Sequence, residues 1–405
     1  MKKIVLVFVL VFVFLQQNCM AQKATVVVTN TERVQRQEVV AVDAKQVSDL
    51  LNLGWGDKLV VKNALNQEVA YQLSYDGKIL IDASVRPCGT AEFTITKGEP
   101  KEMKAFVKGS YHPERVDDIA WENDRTAYRL YGPALQASGE RAFGNDVWVK
   151  NTPDLEVEKR YSVEHAAAGM IKELKKQGKN DEAFDLEVAT TYHFDHGYGL
   201  DCYKVGPSLG CGTPALLVDG QIKFPYCYKE YKILDNGPLR FTVELTYNPE
   251  VVGKEKDIVE HRILSLDKGS NFNKMVVWYD GFKKPFKVCA GVVVHAEDVE
   301  SAVVGKGYVQ YADPTDHPSK QNFQIYTAAV FPEDGVETQF LKAEKVENGI
   351  AGHLIGSKKI KPGEKFTYYF GSAWSKYDVR NQNEWQCRIN TFIDEIHAPL
   401  QVMVK

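Results

Sequence analysis

Short β-branched or alternating apolar–polar runs recur along the chain, the mark of strands with one buried face. In the first hundred residues they cover Ala24–Thr29, Lys58–Lys62, Ala70–Leu73, Lys78–Ile81 and Thr90–Thr96. Ser74, Tyr75, Asp76 and Gly77 separate two of these runs and predict a hairpin. An Asp-rich passage, Val116–Asp124, marks a join, and Asp146–Lys150 reads as a short strand. Glu164–Gln177 has apolar residues at helical spacing, with Lys175 and Lys176 at its C-terminal end before Gly178. From Glu187 onward strands are expected, among them Thr191–Asp195, Leu239–Tyr247, Val259–Leu266, Asn273–Trp278, Phe286–His295, Phe323–Val330 and Lys365–Ala373. Gly- and Pro-containing turns separate the later ones, and Asn383–Ile396 suits a closing helix. The pattern predicts a mainly β protein. A small N-terminal β-sandwich over residues 22–108 precedes a large antiparallel β-sandwich over 109–405 with one or two helices.

The first 21 residues do not fit this scheme. Lys2 and Lys3 precede an unbroken apolar run, Ile4–Leu15, too short to span a bilayer comfortably, and a small polar stretch ends at Ala21. That is the pattern of a signal peptide, and it implies export to the periplasm or the outside of the cell. Cys19 could carry a lipid anchor, but Gln17 and Asn18 stand where small residues are expected. No other segment could span a bilayer. Net charge is −4 for the whole chain, and loss of the leader's two lysines takes it to −6. A mildly acidic chain without a basic run is a poor partner for nucleic acid. Six cysteines follow the leader, with Cys202, Cys211 and Cys227 near one another. They could form a bridge in an exported protein or remain buried thiols.

Five segments carry a resemblance. RFTVELTYN, EHRILSLDKGSNFNKMVVWYDG and VCAGVVVHAE, between Leu239 and Glu297, resemble the galactose-mutarotase-like supersandwich. WENDRTAYRLYGPAL (Trp121–Leu135) and the stretch Thr191–Gly212 resemble a family of exported proteins of unassigned activity from saccharolytic bacteria. The likeness covers most of residues 110–400. It implies a large antiparallel β-supersandwich of the kind found in mutarotases, epimerases, polysaccharide lyases and some glycoside hydrolases. No complete catalytic set of any one such enzyme matches, so no role is carried over.

Candidate chemistry comes from strand alternation. Arg125, Ala127, Arg129 and Tyr131 share one face, with Asn123 in register, while Thr126, Tyr128 and Leu130 share the other. Two arginines on one sheet face imply either a wet cleft or salt bridges. In a cleft their planar forks suit a uronate carboxylate, making Asn123, Arg125 and Arg129 substrate-binding candidates and Tyr131 a proton carrier. Thr191–Gly212 packs histidines, aspartates and tyrosines among glycines. Three readings stand for it. His193 is an acid or base oriented by Asp195 or His196; or His193, Asp195 and His196 hold a divalent metal with help from His112, His295 or Glu297; or the stretch is a hydrogen-bonded turn. His295 and Glu297 share a strand face and could act as an acid and a base. Tyr198, Trp374 and Tyr377 offer aromatic faces to a sugar ring. Together these candidates predict an enzyme on acidic oligosaccharides or polysaccharides, by lyase or hydrolase chemistry, with no obligatory cofactor. A mutarotase or epimerase, or a non-catalytic glycan binder, are the alternatives.

Overall fold

Strand-forming patterns become strands where both neighbours can pair, and the computed structural model, which describes residues 22–314 and 322–405, is mainly β. The leader and Cys19 lie outside the described residues. No described helix is long and apolar enough to cross a membrane.

The N-terminal unit is two facing antiparallel sheets. One runs in the order Gln401–Val404, Lys23–Thr29, Thr90–Lys97, Leu59–Asn63, and the other Arg36–Asp43, Lys78–Val85, Tyr71–Leu73. Val26, Val28, Val42, Ile79, Ile81 and Ile95 fill the space between them. The hairpin at Asp76 and Gly77 forms as its turn residues require, with Gly77 at φ 75°. The last strand comes from the far end of the chain: Val404 pairs with Val26 across the sheet. Helix α1 (Ala44–Leu51), capped by the Asp43 carboxylate, covers the same core through Val47 and Leu51.

The remainder is a sandwich of two large sheets. The smaller has five strands in the order Gln221–Lys223, Cys211–Val218, Phe286–His295, Ile350–Ile360, Glu337–Glu347. The larger runs Tyr228–Gly237, Arg240–Tyr247, Glu255–Asp267, Phe272–Asp280, Phe366–Trp374, Ile325–Val330, Tyr308–Asp313, Val303–Gly305. Glu255–Asp267 shows the alternation that builds the core: Ile258, Leu264 and Leu266 point in, while His261, Ile263 and Ser265 are half-buried on the outer face. Phe241, Met275, Val292, Leu354 and Phe370 complete that core. No disulfide joins any two of the six cysteines in the described residues, and Cys202, Cys211, Cys227 and Cys289 are buried.

A third, four-stranded sheet closes one end: Lys108–His112, Asp118–Glu122, Ala127–Leu130 and Asp146–Trp148. Ile119, Trp121, Tyr128 and Leu130 face the sandwich core, as alternation requires. Its other face carries Arg129 and Asp146, both buried. A helical hairpin and residues 191–201 cover it, packing Val157, Tyr161 and Tyr192 on Ala120, Ala127 and Trp148. The short helix α2 (Pro133–Ala137) precedes this hairpin of α3 (Val157–Lys176) and α4 (Asn180–Thr190). Helix α3 therefore begins earlier than its apolar spacing predicted, because the Glu122 carboxylate accepts the Glu156 and Val157 amides and fixes its first turn. Helix α5 (Gln382–His397) lies on the outer face of the larger sheet through Trp385 and Ile389.

Candidate active site

Residues 191–201 decide where the chemistry can be. The alternation of Thr191–Asp195 predicts a strand, but α4 runs to Thr190 and the chain then turns tightly. The turn is held by its own polar groups. Asp195 Oδ1 accepts the Gly197 and Gly199 amides at 2.9 Å, and its other oxygen meets Lys376. Burial works against the Asp195 charge, but Lys376 and the two amides outweigh it and keep the pKa below 3.8. His196 Nε2 donates to the Thr191 carbonyl at 2.9 Å. Gly199, at φ 105°, passes so near Val149 that a Cβ would lie 2.0 Å from its carbonyl oxygen.

His193 alone of this group turns toward the covered sheet. Its Nδ1 lies 3.1 Å from the Asp201 carbonyl oxygen and 3.6 Å from Asp201 Oδ2. A carbonyl can only accept, so Nδ1 carries the proton and Nε2 keeps the basic lone pair. The ring is 55% exposed, whereas the Asp201 side chain is 3% exposed. His193 also stands at one end of a groove of about 760 Å³ between α3 and α4, with Ile171, Lys172 and Lys175 along it.

Behind Asp201 lies a buried ionic cluster. Arg129 Nη2 donates to Asp201 Oδ2 at 2.8 Å and also to Asp146 Oδ2. Arg129 and Asp146 face each other across the antiparallel strand pair, so the backbone register itself brings them together. Tyr131 OH sits 3.2 Å from Asp146 Oδ2 and from Arg129 Nη2. Asp118 lies 3.9 Å from Arg129 Nη1, and Tyr192 OH accepts from Arg115 Nε at 2.9 Å. Three carboxyl groups thus share few cations. Burial pushes Asp146 up to about 7, the charge of Asp201 pushes the same way, and Arg129 opposes both. Burial lifts Asp118 to about 6 against Arg129 and Arg115. The cluster therefore holds a proton close to neutral pH.

His295 ends the strand Phe286–His295 and turns inward. Its Nδ1 meets Asp313 Oδ2 at 3.0 Å, and both side chains are almost fully buried. Burial works against the His295 charge, but the hydrogen bond and charge of Asp313 outweigh it and raise its pKa above 6.5. His353 is its neighbour, driven down to about 3 by burial and by the charge of His295, and its Nε2 accepts the Leu209 amide. Tyr203 lies between the two histidine clusters, close enough to Asp313 and Asp146 that both reinforce the upward push of burial on its phenol.

The candidate residues are thus distributed unevenly. The structure joins His193, Arg129 and Tyr131 through Asp201 and Asp146, and puts His295 with Asp313 instead of Glu297, which is exposed past the strand end. Asn123 is buried and holds a turn, donating to the Asp267 and Ser270 carbonyls. Arg125 pairs with Asp378 and donates to the Gly269 carbonyl, far along the chain from the Arg129 cluster's partners. Tyr198 lies under Lys159, Trp374 is buried and donates to the Asn322 carbonyl, and Tyr377 donates to the Asp124 carbonyl. His193, Asp195 and His196 each engage a different partner, so they do not gather as one ligand set. Among the described residues no group of three or more histidines, cysteines or acids is arranged to hold a metal ion. His112 pairs with Glu114 instead. Sequence reasoning missed Asp146, Asp201 and Asp313. Asp201 lay inside the singled-out stretch, and its place between apolar residues was the available signal.

The chain matches the family described as "Domain of unknown function (DUF4861)" over residues 28–402. It belongs to that family. A relative in Formosa agariphila, "Uncharacterized protein P7", is 26% identical over 343 residues, which is 81% of this chain and 78% of the relative. Among solved structures, the chain is similar to an alpha-mannosidase from Enterococcus faecalis V583, with TM-score 0.45 and 9% identity, covering 95% of this chain and 46% of the other. A glycosyl hydrolase family 38 protein from Enterococcus faecalis gives TM-score 0.46 and 8% identity, covering 95% and 47%. This DUF4861 chain spans about half the length of those two structures.

Proposed function

We propose that this protein is an exported enzyme that moves protons on an acidic saccharide, with His193 as the group that meets substrate. One observation carries this reading. An exposed imidazole has its tautomer fixed by Asp201, so that Nε2 presents a lone pair outward, and Asp201 is braced by Arg129. A base so arranged can take a proton α to a uronate carboxylate, and the imidazolium it becomes is stabilised by the carboxylate behind it. Lys172, exposed on the α3–α4 groove, replaces the arginines as the group that would meet a substrate carboxylate, while Lys175 beside it is engaged by Glu187. Paired-carboxylate hydrolysis has less support. Asp146 and Asp201 both lie on one arginine nitrogen and are buried, so no sugar ring fits between them.

The internal pairing of Arg125 and Arg129 also favours a second reading, epimerisation or mutarotation, which needs an acid and a base but no carboxylate clamp. Incubation with a panel of uronate-containing glycans separates the two. Elimination yields a conjugated double bond seen by ultraviolet absorbance, whereas epimerisation changes sugar configuration without it. Products formed by neither route, with new reducing ends alone, would sink both and favour hydrolysis.

A further inference from the structure

The surface away from His193 carries a second cavity, about 990 Å³, at the upper end of the range for small-ligand sites. Its floor is the outer face of the larger sheet, where Ile263, Val276 and Tyr369 are half-buried. One wall is the N-terminal unit, through Gln37–Val39 and the Tyr75 turn. The other is a helical stripe of α5: Glu384, Arg388, Thr391, Phe392 and Glu395. None of the residues of either histidine cluster lines it.

Its charges sort into those already satisfied and those left over. Arg125 is held by Asp378 and Arg240 by Asp267, while Lys268 meets Asp82. Glu384 pairs with Arg380, and the Asp76 carboxylate takes the Ser74 hydroxyl. Glu38 meets Arg36, which also donates to the Ala398 and Glu395 carbonyls and so ties the N-terminal unit to the end of α5. Burial and the charge of Glu38 push Glu395 up to about 7, so this carboxyl carries little charge at mildly acidic pH. Lys274 and Lys365 remain. Both are exposed, and among the described residues neither has a carboxylate partner. Lys365 instead lies over the Trp278 ring, 4.7 Å from its centroid, and Trp278 stacks on His261.

The geometry points to this cleft as a second binding site, for an anionic oligosaccharide. An aromatic and aliphatic floor meets the apolar face of a sugar ring. The lysines left over supply the charge that an acidic chain needs, and Gln37, Ser265 and Thr391 supply hydroxyl and amide partners. The choice of saccharide rests on the function proposed above, while the cleft itself is independent of the His193 cluster. It would hold a polymer while His193 works on another segment.

Calorimetric titration of an oligogalacturonate into the His193→Asn variant tests the site with turnover removed. Binding should persist, and Lys274→Ala combined with Lys365→Ala should weaken it about tenfold. Both lysines are exposed, so the melting temperature should hold. Tyr369→Ala should weaken binding in the same direction, and a neutral xylo-oligosaccharide of equal length should bind less tightly. Affinity unchanged by loss of both lysines, equal binding of the neutral chain, or no binding to the His193→Asn variant would overturn the inference. The His193 reading fails by a different result, turnover that survives His193→Asn, which leaves these affinities as they are.

Discussion

Of the three histidine–aspartate pairs among the described residues, those at His193 and His295 are set apart by burial. His193 and Asp201 lie on a tight turn after α4, with the imidazole half in solvent. His295 and Asp313 lie at the ends of two sandwich strands, and neither reaches the surface. Each pair uses Nδ1, so each leaves Nε2 on the far side of the ring. In the first pair that nitrogen can meet a substrate. In the second the whole ring is buried, and the pair braces the ends of two strands. On the proposed function, the same two residue types would serve chemistry in one place and architecture in the other.

Breaking each pair should give opposite symptoms. The largest effect belongs to His193→Asn. It should lower turnover on a productive glycan by about 10²- to 10⁴-fold while leaving stability within about 0.5 kcal/mol. Arg129→Met should be the largest destabiliser. It removes the cation shared by Asp146 and Asp201, and denaturant titration should show a loss of about 3–5 kcal/mol. Asp313→Asn comes next at about 3 kcal/mol, because it leaves His295 buried without its counter-charge.

The pH dependence of stability sharpens the contrast. Asp146 rises from 3.8 to about 7 on folding, so the folded state binds the extra proton. The stability this confers is complete below pH 4 and is lost as pH rises through about 7. The raised pKa of His295 works in the same sense, with its contribution lost as pH climbs through its folded value. Melting temperature should therefore fall between mildly acidic and mildly alkaline pH, and Asp146→Asn should flatten that fall. A stability that rises across this range would show that the carboxyl cluster is ionised throughout. The smallest effect belongs to the turn. Asp195→Ala removes two amide contacts and the Lys376 pair, and should cost about 1–2 kcal/mol by the same titration.

Much of the fold was legible because alternation is a local signal. Tyr128 and Leu130 face the core and Arg129 the other side, as their spacing demands, and salt bridges were one of two outcomes allowed for that polar face. The helical hairpin that covers it was half legible. Helix α4 was missed because it is almost wholly exposed, with Ala183 its one buried residue, so no apolar stripe marks it. Missing it made Thr191–Asp195 read as a strand. The alternation there is real, but it follows a helix end and serves a turn. In the candidate site, the histidines stood out in the sequence and their buried partners did not. Asp146, Asp201 and Asp313 look like ordinary turn or strand-end residues in the sequence, and only tertiary packing makes them buried counter-charges. The arginines misled in a similar way, since Asp378 lies far in sequence from the Arg125 that it satisfies.

The most direct test measures His193→Asn and His295→Asn side by side, for turnover on a uronate-containing glycan and for melting temperature. His193→Asn should lose turnover and keep its melting temperature, while His295→Asn should melt early and keep turnover below that point. Full turnover in the His193→Asn variant, or its loss in a His295→Asn variant that melts like the parent, would contradict these roles.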